Sequence, residues 1–178
     1  MGSLLIVTGP PGARKSTVAR RLADSFEQSV LVEGDAFFGF LARGAIAPWL
    51  PESDGQNEIV TEAAAACAGR FALGDYATVY DGVVGPWFLP TFARASGLRS
   101  LDYVMLLPSV ERCLEAVRTR LDHDFSDEDA TRKMHHEFAT ASIAERHVVV
   151  DPPDGIDAVV EIILVKRHRG ELVYDLTT

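Results

Sequence analysis

Gly9-Pro10-Pro11-Gly12-Ala13-Arg14-Lys15-Ser16-Thr17 is the stretch that decides how the rest of the chain is read. The apolar run Leu4-Leu5-Ile6-Val7 leads into it, and an amphipathic segment from Ser16 to Phe26 follows. A strand, a glycine-rich turn and then a helix opening on Lys-Ser is the setting of a phosphate-binding loop. Backbone N–H groups of such a turn converge with those of the first helical residues, and the positive end of the helix dipole adds to them. Lys15 is expected to reach outer phosphates as a point charge, and the Ser16 hydroxyl to sit on a Mg²⁺. The plain alternative is a strand-to-helix turn with a chance Lys-Ser. The motif is G-x-x-x-x-G-K-[ST], and Arg14 stands where it has its second glycine. Either Arg14 points outward and leaves the backbone amides to the phosphates, or it crowds a site where glycine lets the backbone approach closely. Its charge attracts phosphate, so the question is one of sterics. The outward position, at the rim of the loop, is the expectation.

At 178 residues the chain reads as one domain over 1–178, long enough to bury a core. Acidic residues outnumber basic ones, 26 against 17, for a formal net charge of −9, so no basic face for nucleic acid is expected. The one basic run, Lys166-Arg167-His168-Arg169, suits a solvated helix C-terminus. Cys67 and Cys113 lack metal-ligand spacing and are expected to be buried thiols in a reducing compartment. The N-terminus reads straight into a strand without a basic leader, and no apolar run is long enough to span a bilayer. These features predict a cytoplasmic protein with no membrane partner.

Leu4 to Thr8 is short and uniformly apolar, as a central parallel strand should be. The following helix carries Val18, Leu22 and Phe26 inward. A second strand, Ser29 to Glu33, ends at Gly34-Asp35, before a short apolar helix at Phe37 to Leu41 and a long loop with Pro48, Trp49 and Pro51. An alanine-rich helix from Gln56 to Leu73 runs through Ile59, Ala63, Ala66 and Cys67. A third strand, Ala77 to Tyr80, closes at Asp81-Gly82. Pro86 fits the first turn of the next helix, which carries Phe88, Leu89 and Phe92. A fourth strand, Leu101 to Leu107, precedes a helix capped by Ser109 with Cys113, Leu114, Val117 and Leu121 inward. A helix from about Asp127 to Ala141, a fifth strand at His147 to Val150, the Asp151-Pro152-Pro153 turn and a helix from Ile156 to Val165 complete the pattern. The tail from Glu171 has no clear assignment.

Five strands alternating with helices predict a three-layer α/β fold: an open five-stranded parallel sheet with helices on both faces. Ligands in such sheets gather beyond the carboxyl ends of the strands, which selects the phosphate loop, Asp35, Asp81 and the loop at Asp151. Asp35 is a candidate base for an attacking hydroxyl, against the plain role of capping the helix at Phe37. Asp81 is a candidate for holding Mg²⁺ through water or binding an acceptor, against a plain turn residue before Gly82. Phe37, Phe38, Trp49, Trp87 and Phe88 cluster around these positions in sequence. Phe88 suits the core, whereas Trp49 and Trp87 are divided between core and an acceptor pocket. Arg118, Arg120 and Arg132 bracket the acidic stretch 122–129. They either neutralise a transferred phosphoryl group from a lid at 118–132 or pair at the surface with Asp122, Asp124 or Glu128. His123 is the one histidine placed near an acceptor.

Together these residues resemble the P-loop kinases of small molecules: the shikimate, gluconate and nucleoside monophosphate kinases and chloramphenicol phosphotransferase. The resemblance covers nearly the whole chain. It rests on the 9–17 loop, Gly34-Asp35, Asp81-Gly82, the arginine-bearing segment near 118–132 and Asp151-Pro152, which is similar to the loop that packs on adenine. Arg120-Leu121-Asp122-His123-Asp124-Phe125 resembles the segment leading to His-Phe in gluconate kinases.

The resemblance implies ATP and Mg²⁺ as cofactors, bound by Gly9, Pro10, Pro11, Gly12, Ala13, Arg14, Lys15, Ser16 and Thr17. Ser16 and Asp81 would hold the metal. Asp35, Lys15, Arg118 and Arg120 would be catalytic. Asp35, Phe38, Trp49, Asp81 and Trp87 would bind a small hydroxyl acceptor, in a monomer or homodimer. Two departures stand out: Arg14, and Gly82-Val83-Val84-Gly85-Pro86-Trp87, which matches neither the glycine triplet of shikimate kinases nor the Asp-Gly-Phe-Pro-Arg of nucleotide kinases. The competing reading is a nucleotide-binding protein without kinase activity because of Arg14.

Overall fold

The structure, a computed structural model, describes residues 2–119 and 127–176. Its elements run β1 (Ser3–Thr8), α1 (Lys15–Ala23), β2 (Ser29–Glu33), α2 (Asp35–Phe38), α3 (Asp54–Leu73), β3 (Ala77–Asp81) and α4 (Leu89–Ala95). There follow β4 (Ser100–Leu107), α5 (Val110–Thr119), α6 (Glu128–Thr140), β5 (Val148–Val150), α7 (Ile156–His168) and β6 (Val173–Asp175). The strands pair in the order β2-β3-β1-β4-β5, all parallel. This is the predicted sheet. One strand was not foreseen: β6 pairs antiparallel with the start of β4, Leu101 opposite Tyr174. Three residues are too few to show an alternating pattern, and the pairing partner lies some seventy positions away.

The central strand β1 is buried on both sides, with Leu4, Leu5, Ile6 and Val7 at 1% exposure or less. Alternate residues therefore feed two cores. Leu4 and Ile6 join the core that includes Ala64, Ala68, Phe92 and Phe138 of α3, α4 and α6. Leu5 and Val7 join Val18, Leu22, Val159 and Ile163 of α1 and α7. Burying a side chain of this size stabilises by about 1.5–3 kcal/mol, so the two cores together fix the sheet between its helix layers.

Helix α3 turns a different face inward from the one its sequence advertises. Val60, Thr61, Ala64, Ala65, Ala68, Gly69 and Ala72 are buried, whereas Ile59, Ala63 and Ala66 are exposed and Cys67 is only partly covered. Alanine on every side of the helix leaves its apolar face undefined, and close packing decides the matter. A Cβ on Gly69 would lie 1.9 Å from the Ser96 carbonyl oxygen at the end of α4. Gly69→Ala is therefore expected to destabilise by about 2–3 kcal/mol, more than its helix propensity returns. Urea unfolding would read this as a lowered midpoint, and an unchanged midpoint would mean that α4 is free to move away.

Other boundaries shift for local reasons. Pro90, not Pro86, occupies the first turn of α4, and Pro86 lies in the turn before it. Asp35 is the first residue of α2 and Gly34 its cap, so the capping role weighed for Asp35 does not occur. The cap expected at Ser109 is present, accepting from Arg112 N–H, and α6 has a cap of its own in Asp127, which accepts from Ala130 N–H at 2.9 Å. The basic run at the end of α7 is not simply solvated. Arg167 donates to Asp102 at 2.8 Å and to Ser3 at 2.7 Å and lies over the Phe26 ring, which ties α7 to the amino-terminal edge of the sheet. Among the described residues no helix is long and apolar enough to cross a membrane. Leu121, His123 and Arg120 lie outside the described residues, as does the middle of the lid expected at 118–132.

Candidate functional site

The phosphate loop has the backbone its motif requires. Gly9 and Gly12 take φ of 147° and 82°, and a Cβ on either would collide with a backbone carbonyl, Leu106 or Cys113, at 2.2 Å. Both glycines are therefore obligatory. Arg14 caps α1 with φ 62° and ψ 25°, a left-handed conformation that glycine ordinarily supplies and that costs an L-residue about 1–2 kcal/mol. The arginine thus keeps the fold of the loop. Its side chain is exposed and turns to the loop after β5, where Nη1 donates to the Asp154 carbonyl at 2.6 Å. The rim position expected for Arg14 is the one observed. Lys15 Nζ donates to the Pro10 carbonyl at 3.1 Å, which draws the ammonium back over the loop.

Three backbone devices bring Asp35 and Asp81 to the same sheet edge. Parallel pairing of β2 and β3 sets Glu33 opposite Asp81, and β1 sets Val7 opposite it on the other side. Gly34 N–H then donates to the Asp81 carbonyl at 2.7 Å, locking the two strand ends together. The Tyr80 hydroxyl fills the space beside Gly34 and Gly82, 2.2 Å and 2.9 Å from where a Cβ would stand, so both Gly-Asp and Asp-Gly pairs are dictated by one buried ring. The next segment is held by Thr8, which accepts from Val84 N–H at 2.9 Å, and by the Tyr103 hydroxyl, which donates to the Val84 carbonyl at 2.9 Å.

Asp81 is the electrostatic centre of this edge. It is 8% exposed, and its Oδ1 has no hydrogen-bond partner. Burial pushes its carboxyl above the usual range. A hydrogen bond from Ser16 and the charge of Lys15 oppose that shift, and Asp35 and Glu33 add to it. A buried carboxylate oxygen without a donor is a costly group that a cation would satisfy. Among the described residues no three His, Cys, Asp or Glu groups form a metal cage. Mg²⁺ needs none: it is held by one or two protein oxygens together with phosphate and water. The Ser16–Asp81 pair fits that requirement. Nearby Cys113 has its thiol pushed up to about 11 by burial, which leaves it inert, while its backbone packs against Gly12.

Phe38 ends the short helix that Asp35 begins, and Trp49 lies in the loop before α3. The loop carrying Trp49 is pinned to the start of α3 by Gln56, bonded to Ile46 N–H and carbonyl at 2.8 Å, and by Asn57, which donates to the Pro48 carbonyl. Trp87 folds over Gly85 and packs on Phe138 of α6, ring centroids 5.1 Å apart, while remaining 44% exposed. Arg118 makes a two-pronged ion pair with Glu128, 2.6 and 2.7 Å, joining α5 to α6. That pairing raises the Arg118 pKa and lowers that of Glu128. It is the surface pairing weighed against a phosphate role.

A residue that the sequence did not single out is Arg112. Its guanidinium donates to the Pro152 carbonyl at 2.8 Å and to the Asp154 carboxylate at 2.7 Å. With Ala13, Arg14, Pro152 and Pro153 it lines a cleft adjoining the phosphate loop. Its signal was its position one turn past the Ser109 cap, beyond the carboxyl end of β4.

No family model and no curated protein matches this sequence. Solved structures do match. A sugar kinase from Janibacter sp. HTCC2649 superposes with a TM-score of 0.72 at 16% identity, over 94% of this chain and 95% of that one. The tunicamycin resistance protein of Deinococcus radiodurans gives 0.68 at 15% identity, over 94% and 96%. A gluconokinase from Sinorhizobium meliloti 1021 gives 0.66 at 17% identity, over 96% and 94%. The fold is that of the P-loop small-molecule kinases. The five-stranded parallel sheet and the position of the loop agree with the resemblance read from the sequence, and coverage near the full length of both chains leaves no large segment of this P-loop kinase fold unmatched.

Proposed function

We propose that this protein is an ATP-dependent phosphotransferase that moves the γ-phosphoryl group to a hydroxyl of a small metabolite or antibiotic. The observation that carries the reading is Asp81: a buried carboxylate with an unpartnered oxygen, beside Ser16 and Lys15, where the phosphate loop meets the sheet edge. Similarity to kinases of small molecules supports the same reading. The working loop is favoured over a disabled one because Arg14 retains the left-handed backbone and turns its side chain out to Asp154.

In this reading Mg²⁺, held by Ser16 and Asp81, supplies charge neutralisation for the phosphates. The protein's own part is positioning and electrostatics. Backbone N–H groups of the loop and of α1 orient the phosphates, and Lys15 leaves Pro10 to bind them. Asp35, exposed in the first turn of α2, accepts the proton of the acceptor hydroxyl as it attacks. Arg118, on release from Glu128, or Arg120 stabilises charge spreading over the transferred group. Phe38, Trp49 and Trp87 provide an apolar wall that suits a neutral, moderately apolar acceptor.

Millimolar Mg·ATP and Mg·ADP are both expected to raise the melting temperature, by roughly 2–5 °C if affinities lie near 0.1 mM. Transfer from ATP to a panel of sugar acids, nucleosides and hydroxylated antibiotics then identifies the acceptor. Absence of any shift with either nucleotide would refute the kinase reading at its first step. A shift without transfer to any hydroxyl would favour a nucleotide-binding protein.

A further inference from the structure

We infer that Arg14 is a positioning residue for the nucleotide, strapping the phosphate loop to the 152–154 segment so that the base side of the donor site is held against its phosphate side. The inference rests on the nucleotide-binding reading above.

The 152–154 segment is anchored at its start, where Asp151 N–H donates to the Leu107 carbonyl at 3.0 Å and Pro152 is buried, but beyond that point it leans on side chains. Pro152 and Pro153 have no N–H to donate, and Asp151 before them takes φ 43°. The segment leaves β5, a strand of only three residues, and enters α7 at Ile156. Two guanidinium groups take over. Arg112 reaches from α5 to the Pro152 carbonyl at 2.8 Å and the Asp154 carboxylate at 2.7 Å. Arg14 reaches from the phosphate loop to the Asp154 carbonyl at 2.6 Å. Together they hold the segment from two directions. The cleft between loop and segment is lined by Ala13, Arg14, Arg112, Pro152 and Pro153. Its rim carries two guanidinium planes, surfaces on which a planar heterocycle stacks, over a floor that includes Leu106 and Ile156.

The position of the strap explains why an arginine is tolerated at a left-handed residue. Glycine there would give the same backbone without strain and would leave the segment held by Arg112 alone. Arg14 thus converts a purely local loop position into a link between two elements 140 residues apart in sequence. Its effect is on the base and ribose end of the nucleotide, and the phosphates are left to the loop amides and Lys15.

The test compares Mg·ATP with Mg·tripolyphosphate, which has the phosphates and no base, by calorimetric titration of the full chain. Arg14→Gly is expected to weaken Mg·ATP roughly tenfold while tripolyphosphate stays within about twofold. Arg14→Lys, which keeps a donor able to reach a carbonyl, should recover most of the ATP affinity. Thermal melts of both variants report whether the fold is retained, and Arg14→Gly should melt no lower than the parent because it relieves a left-handed residue. Equal losses for both ligands would make Arg14 a phosphate contact and overturn the strap. Unchanged or tighter ATP binding in Arg14→Gly would overturn it too, and would leave the kinase reading standing. A parent protein that binds neither ligand would overturn both readings at once.

Discussion

Asp35→Asn is expected to leave Mg·ATP binding within about twofold and to lower phosphoryl transfer by about 10³-fold, the usual contribution of a well-placed general base. The substitution is isosteric, and the turn that carries this residue is held by backbone contacts. Gly34 N–H is bonded to the Asp81 carbonyl, and the Tyr80 hydroxyl fills the space beside Gly34, so the first turn of α2 keeps its position. The ability to take a proton is lost, together with the charge that helps raise the Asp81 pKa. Single-turnover transfer with the identified acceptor, alongside calorimetric nucleotide binding, separates the two. Full transfer by Asp35→Asn would remove Asp35 as the base, and a parallel loss of nucleotide affinity would assign it to the donor side instead.

Asp81→Asn has two expected effects of opposite sign. Transfer should fall by about 10²–10³-fold, because a carboxylate suited to the metal is replaced by a weaker neutral ligand. Stability without ligand should rise by about 1 kcal/mol at neutral pH, since the charged form of Asp81 is disfavoured in the fold. The sign follows from its pKa, which is raised above the unfolded value by burial, with Asp35 and Glu33 adding to the effect. The folded protein therefore holds the proton more tightly than the unfolded chain does. The stability contributed by Asp81 is complete below the ordinary carboxylate pKa and is lost as pH rises through the raised folded value. The parent's melting temperature should show this loss across that window, and Asp81→Asn should not. Conversely, Mg·ATP binding by the parent should weaken as pH falls into the same window, because proton and metal compete for one group. A variant that melts lower than the parent at neutral pH would show that Asp81 is stabilised by its neighbours and is not poised for a cation.

Much of this was legible in the residues themselves. The 9–17 stretch carried its strand, turn and helix because each local feature agreed: β-branched and aliphatic residues, two glycines whose φ only glycine adopts freely, then a helix opening on Lys-Ser. Gly34-Asp35 and Asp81-Gly82 were visible as strand ends because apolar runs stop there abruptly. The inward face of α3 was not legible, since alanine surrounds the helix and the contact of Gly69 with Ser96 belongs to another element. Neither was β6, whose partner is remote in sequence. Arg112 was passed over because a helix-borne arginine looks the same whether it meets solvent or a proline carbonyl forty residues on.

Sequence by itself determined the fold class, the place of the phosphate loop and which strand ends face it, because these follow from local periodicity and from backbone conformations that few residues tolerate. It also posed the question of Arg14 without answering it. Only the tertiary structure decided that this arginine keeps the glycine-like backbone, that its side chain spans to Asp154, and that Asp81 is buried with an oxygen left unpaired. Those are properties of groups brought together across 140 and 65 positions, from Arg14 to Asp154 and from Ser16 to Asp81, and no local pattern encodes a distance of that kind.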